Sequence, residues 1–232
     1  MKKPGLEKYL LVSCSLIMDE LNQQYGSIFT NNSSKQQLRT FVNDRFSETD
    51  LTMRLGHPFR QMVHYNVVDS QLLEGKKKNH DLFIESKGFK VEVKFPKNWN
   101  SDRKTPSNSK RWDEYQRDFD WLSDELTLGH KGKVAFVIGW FNYVDYFGQI
   151  MQLGERENGK PTGGKPIAST KRISLFPFLK NAKETAYTKD FTYDYDCAYE
   201  KLTVGQADIG RAQMNCIFLG NETDVFHFAI YY

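Results

Sequence analysis

Residues 81–95 read Asp81-Leu82-Phe83-Ile84-Glu85-Ser86-Lys87-Gly88-Phe89-Lys90-Val91-Glu92-Val93-Lys94-Phe95. The second arm alternates between apolar and charged residues, the period of a half-buried strand, and Lys87-Gly88 is a turn signal. The segment therefore predicts a β-hairpin, ended by Pro96. With Lys87 and Gly88 as the two turn residues, Asp81 faces Lys94, Phe83 faces Glu92 and Glu85 faces Lys90. Asp81, Glu92 and Lys94 then share one face, opposite residues being about 5 Å apart and diagonal ones about 7–8 Å. Two carboxylates at that separation can converge on one hard divalent cation, which takes oxygen ligands and keeps several waters. Glu85 shares the face but stands roughly 13 Å from Asp81 along the strand, too far for the same ion. A slip of one residue would turn Asp81 to the other face.

Upstream of the hairpin, residues 5–25 carry Leu6, Leu10, Cys14, Ile17 and Leu21 at helical spacing. Ser33-Ser34 offers an N-cap for a second helix with Leu38, Phe41, Val42 and Phe46 on its apolar side. After Gly56-His57-Pro58 the period changes, and Met62 to Val68 predicts a strand. Glu74 to Asn79 is a polar loop. Downstream, a polar loop from Lys97 to Arg111 leads to a helix with Trp112, Tyr115, Phe119, Leu122 and Leu126 at helical spacing. Val134 to Phe141 is a nearly continuous apolar run, the signature of a strand buried on both faces. The predicted order is α, α, β, β, β, α, β, in which strand, crossover helix and strand make a right-handed parallel connection. The chain closes on a predicted hairpin, Met214–Leu219 and Val225–Tyr231, turning at Gly220-Asn221.

Acid-x-Lys occurs four times, as Glu74/Lys76, Glu85/Lys87, Glu92/Lys94 and Asp102/Lys104. About three are expected by chance, so the pattern counts only through its context. Glu92-Val93-Lys94 alone lies inside an alternating strand, which puts both charged side chains on one face.

Asp81, ten residues, then Glu92-Val93-Lys94, on a hairpin followed by a helix and a buried strand, resembles the PD-(D/E)xK nuclease superfamily. His80 stands where the name's proline would, and that proline is not a ligand. The resemblance spans about Ser33 to Tyr143. It implies an α/β (α+β) restriction-endonuclease-like fold, an α-β-β-β-α-β core with a mixed central sheet and a C-terminal β-containing extension. Residues 1–143 would form the nuclease-like core and residues 144–232 an extension packed on the same domain, for recognition or a dimer contact. Asp81 and Glu92, with the backbone carbonyl of Val93, would hold Mg2+, for which Mn2+ would substitute. Lys94 would orient or deprotonate the attacking water and offset charge at the phosphate. Members often add an acid from a preceding helix, and Glu20, Asp44 and Glu48 are the candidates.

The chain has 232 residues, 39% hydrophobic and 26% charged, which excludes a disordered tail, a coiled coil or a disulfide miniprotein. No apolar run reaches the roughly 18–20 residues of a membrane helix, so a soluble, cytoplasmic protein without membrane association is expected. Leu11-Val12-Ser13-Cys14 superficially matches a lipoprotein cleavage box, but Glu7 and Lys8 leave too short an apolar region before it. Three dispersed cysteines without a CxxC pair fit a reducing compartment and argue against structural zinc. The five histidines lack metal-ligand spacing and read as loop or core residues, with His80 also a candidate to line the site, and Gly154 to Gly164 lacks the end of a P-loop. Tyr193-Asp194-Tyr195-Asp196 reads as a solvated edge.

Charge is concentrated: residues 74–111 hold 11 Lys/Arg against 5 Asp/Glu, whereas the whole chain holds 32 against 29. Lys76, Lys77 and Lys78 precede Asp81, and Lys97, Arg103, Lys104, Lys110 and Arg111 follow Lys94, flanking the hairpin where a phosphate backbone would lie. Trp99 is a candidate for stacking on bases, whereas Trp112 belongs to the apolar side of its helix. The sequence thus leads to a Mg2+-dependent endonuclease acting on DNA, restriction- or repair-type, with RNA as the other substrate and a homodimer expected. The alternative is a catalytically silent nucleic-acid- or protein-binding module on the same fold, an anti-defence or accessory factor.

Overall fold

The structure is a computed structural model that describes residues 5–28, 32–69, 78–97, 106–141, 191–194, 201–220 and 224–232. Helix α1 spans Lys8–Tyr25 and buries Leu10, Cys14, Ile17 and Leu21, the predicted stripe. Helix α2 spans Asn32–Arg45, with Leu38, Val42 and the following Phe46 buried. A third helix, α3 (Glu48–Gly56), follows at once and was not anticipated. Ser47 is extended there, and its hydroxyl accepts from the Asp50 N–H at 3.1 Å, an N-cap that starts α3. Strands β1 (Val63–Asp69), β2 (Lys78–Ile84) and β3 (Phe89–Lys94) come next, then α4 (Pro106–Thr127) and β4 (Val134–Phe141). The remaining strands are β5 (Phe191–Asp194), β6 (Lys201–Ile209), β7 (Ala212–Leu219) and β8 (Phe226–Tyr231).

The chain is therefore mixed α/β, with one eight-stranded mixed sheet in the order β1-β2-β3-β4-β8-β7-β6-β5 and four α-helices among the described residues. The parallel β3–β4 pair places Glu92 opposite Phe136 and Lys94 opposite Ile138. The terminal hairpin forms as predicted, with Cys216 opposite Tyr231, and β8 also pairs with β4. The last described strands thus continue the same sheet. β5 is its outer strand; Tyr195 and Asp196 lie outside the described residues. No described helix is long and apolar enough to cross a membrane. Cys14 and Cys216 are buried and in no disulfide.

All of β4 is buried because helices cover both sides of it. Phe136 meets Phe119 of α4, ring centroids 5.1 Å apart, and Phe119 meets Tyr231 at 4.9 Å. On the opposite side Phe141 meets Phe46 at 5.1 Å and Tyr25 at 6.3 Å. Successive strand residues alternate faces, so α4 lies on one face of the sheet and α1 with α3 on the other. Ser123 of α4 holds the β6–β7 turn, donating to the Ile209 carbonyl and accepting from the Arg211 N–H, each at 3.1 Å.

Gly139 is what lets α3 approach the centre of the sheet. A Cβ there would meet Leu51 Cδ2 at 2.8 Å, Phe228 Cε1 at 2.9 Å and Phe226 Cζ at 3.0 Å. Gly139→Val is expected to destabilise the protein by about 2–3 kcal/mol, the usual cost of overpacking a core. Urea unfolding checks this, and a midpoint equal to wild type would contradict the close contact.

Candidate functional site

The hairpin forms, but two residues out of the predicted register. Leu82 faces Val91, Phe83 faces Lys90 and Ile84 faces Phe89. The cause is the turn: Glu85–Lys87 make a single 3-10 turn, and Gly88, left-handed at φ 56°, donates its N–H to the Glu85 carbonyl at 3.1 Å. Four loop residues replace the expected two. Phe83 therefore does not face Glu92, Glu85 does not face Lys90, and Asp81 does not face Lys94. A slip of two preserves the side to which each paired residue points; before Leu82 the alternation breaks, His80 reaching Glu92 and Trp121 on the face of α4. Glu85 sits in the turn, exposed, against His64 Nε2 at 3.1 Å.

Carried one step further, the observed register brings Asp81 level with Glu92, but the main-chain pairing stops at Leu82 and Val91. Beyond that point side chains link the strands. Asp81 Oδ2 accepts from the Val93 N–H at 2.7 Å, the place a β2 carbonyl would hold in a continued ladder. One residue earlier, His80 Nδ1 lies 2.9 Å from Glu92 Oε1, both side chains nearly closed to solvent at 2% and 5% exposure. The β1–β2 ladder is interrupted at the same level. Tyr65 pairs with Leu82 and Val67 with His80, while Asn66 between them has φ 52°. Asp81 thus sits at a fork.

Lys94 closes the site. Its ammonium donates to the Val93 carbonyl at 3.2 Å and lies 3.5 Å from both Glu48 Oε1 and Asp118 Oδ2. Glu48 is the first residue of α3, and its other oxygen accepts from the Phe95 N–H at 3.2 Å. Of the three candidate helix acids, Glu48 is the one brought to the strand end. Glu20 is bridged to Arg54 at 3.0 Å, and Asp44 is exposed with no link to the hairpin among the described contacts. Asp118, 7% exposed, comes from the core side of α4 next to Phe119. Asp118 is not among the acids expected from the sequence, although an acid set into an apolar helical stripe is itself a signal.

Four carboxylates therefore surround one ammonium, and the electrostatics follow. Burial pushes the Asp81 carboxyl up to about 6, the nearby charges of Glu92 and Glu48 adding to it, against the Val93 N–H and Lys94. Burial also raises Glu48; the Asp118 charge adds to the rise while Lys94 and the Phe95 N–H oppose it. For Lys94 burial works against the charge, but Asp118, Glu48, Asp81 and Glu92 outweigh it and hold the ammonium well above its ordinary range. The cluster is short of positive charge.

The donor chemistry, carboxylate and carbonyl oxygens with an excess of negative charge, is of the kind that suits a hard divalent cation. Asp81, Glu92, Glu48 and the Val93 carbonyl are the groups that would hold one. As placed, these groups are turned onto Lys94, His80 and main-chain N–H groups, and no three His, Cys, Asp or Glu among the described residues are gathered as a metal-holding group.

The basic tracts are only partly described. Lys78 begins β2, Lys110 is exposed on α4, and Arg111 lies in the same helix. Lys97 is half-buried, its ammonium donating to the Asn43 carbonyl, so it ties the segment after β3 to α2. Lys76, Lys77, Trp99, Arg103 and Lys104 lie outside the described residues. Trp112 is core, 1% exposed. Comparison of the chain with family models, curated proteins and solved structures gave no match.

The raised Asp81 pKa carries a stability consequence. Below about pH 4 the carboxyl is protonated in folded and unfolded chains alike, and ionising it in the fold becomes costly as pH rises through about 6. Asp81→Asn keeps an acceptor for the Val93 N–H and removes the charge. At about pH 7.5 it is expected to be more stable than wild type by on the order of 2 kcal/mol, with the difference vanishing near pH 4. Thermal unfolding at the two pH values tests this; an equal gain at both would rule out like-charge repulsion and desolvation as its source.

Proposed function

We propose that the chain is a Mg2+-dependent endonuclease that hydrolyses phosphodiester bonds in DNA, on a restriction-endonuclease-like core. The observation that carries the proposal is the gathering of Asp81, Glu92 and Glu48 within electrostatic reach of one another and of Lys94 where β2 parts from β3. Four strands, antiparallel from β1 to β3 and parallel from β3 to β4, with α4 between β3 and β4, support the fold-level part. The basic run around the hairpin supports a polyanionic substrate.

In this proposal Asp81, Glu92, Glu48 and the Val93 carbonyl hold the metal, which supplies Lewis-acid polarisation of the phosphoryl oxygen. The remaining work falls to the chain. Lys94, kept charged between Glu48 and Asp118, serves as a donor that orients the attacking water and as a counter-charge to the phosphate. Its environment makes it a poor base, so orienting rather than deprotonating is the role its neighbours favour. Lys110, Arg111 and the tracts at 76–78 and 103–104 position the backbone, and a second copy of the chain serves the second strand.

Cleavage of supercoiled plasmid with Mg2+ or Mn2+, against an EDTA control, tests this. Asp81→Asn, Glu92→Gln and Lys94→Ala are each expected to lower the rate by about 100-fold or more while DNA binding persists, and Glu48→Gln by roughly tenfold. Activity surviving the first three substitutions would dispose of the assignment.

One observation favours the silent binding module: the carboxylates are satisfied by Lys94, His80 and main-chain N–H groups without converging on a common point. On that alternative, calorimetric titration with Mn2+ shows no site that Asp81→Asn removes, while salt-sensitive DNA binding remains.

A further inference from the structure

Glu92 is a long acid on a strand, and in this fold its carboxylate is nearly closed to water. A buried carboxylate needs a donor, and the donor here comes from the next strand. His80 Nδ1 lies 2.9 Å from Glu92 Oε1. Where the carboxylate is the acceptor, Nδ1–H is the donor of this bond. The imidazole is itself fixed, since Trp121 of α4 lies against it with ring centroids 5.3 Å apart. His80 also precedes Asp81 in the chain, and the two residues reach β3 by different means: one donates to a carboxylate, the other accepts from a main-chain N–H.

We propose that His80 is a positioning residue for Glu92, locking the direction of its carboxylate so that Glu92 and Asp81 present oxygen atoms to one divalent cation. The inference rests on the nuclease proposal above and adds to it a residue outside the Asp-Glu-Lys set. His80 touches neither substrate nor metal. It acts through Glu92, as partners of metal-binding carboxylates generally do, and removing such a partner typically costs about 10–100-fold in metal affinity.

Asparagine and glutamine separate positioning from mere filling of the space. His80→Asn places an amide N–H near the Nδ1 position; His80→Gln places it near Nε2, away from Glu92. Mn2+ binding by the full-length protein, followed by electron paramagnetic resonance and titration calorimetry, is compared for wild type, the two variants, His80→Phe and Asp81→Asn. The expected result is near-wild-type affinity for His80→Asn, within about threefold, and a loss of about 10–100-fold for His80→Gln and His80→Phe. Thermal unfolding accompanies each variant, and if His80→Phe fails to fold, the Asn/Gln pair decides. Wild-type Mn2+ affinity in a folded His80→Gln protein overturns the positioning role alone. Wild-type protein whose Mn2+ binding is absent or indifferent to Asp81→Asn overturns the nuclease proposal and His80's role with it.

Discussion

The hydrogen bond from the Val93 N–H to the Asp81 carboxylate is the constraint on which the site depends. A buried N–H must have an acceptor, and at this level β2 no longer offers a carbonyl. Because an acid supplies the acceptor, a carboxylate is carried into the sheet beside Glu92, and the strands part around it. The strand end then exposes the Phe95 N–H, which Glu48 takes, and that second bond brings α3 to the same place. Two main-chain donors on one strand thereby draw two acids from different elements, and Lys94 lies against the acids that result.

Such an arrangement stores unfavourable energy. Asp81 and Glu48 are both raised by burial and by neighbouring acids, while Lys94 is held charged by four carboxylates. A fold selected for stability alone has no reason to concentrate like charge at the end of a buried strand, next to a left-handed Asn66. Perturbed groups gathered in this way are a mark of functional sites, although ion-pair networks produce them too. What distinguishes this cluster is that its excess is all of one sign, which an added cation would relieve and a rearranged side chain would not.

The sheet's centre was legible because its signals are strong and local. The unbroken apolar run of Val134–Phe141 gave β4, and the helical stripes of Leu10–Leu21 and Trp112–Leu122 gave the layers above and below it. The hairpin was legible in kind but not in register, since Lys87-Gly88 suits both a two-residue turn and the end of a 3-10 turn. Helix α3 was hidden because the apolar pattern of α2 runs on into Phe46 and Leu51. Ser47-x-x-Asp50, a cap signature, was the signal that would have separated them. Asp118 and the His80–Glu92 link depend on where α4 and β2 fall against β3, which no periodicity encodes.

The grouping of the acids does not depend on the exact pairing register of the hairpin. Pairing partners shift with every change of turn length, but the side of a strand to which a residue points changes only with an odd slip. Burial enforces that parity where the strands pair: Leu82 and Ile84 are buried while Phe83 is partly open, and an odd slip would reverse that pattern, whereas His80, turned to Glu92 and Trp121 on the face of α4, departs from the alternation. The hydrophobic core therefore fixes the face on which the acids appear, and the turn adjusts only how far along it they stand. Glu48, Asp118 and His80 arrive from elements that the same core positions, which is why a cluster from β2, β3, α3 and α4 forms around Lys94 even though the predicted cross-strand pair of Asp81 and Lys94 does not.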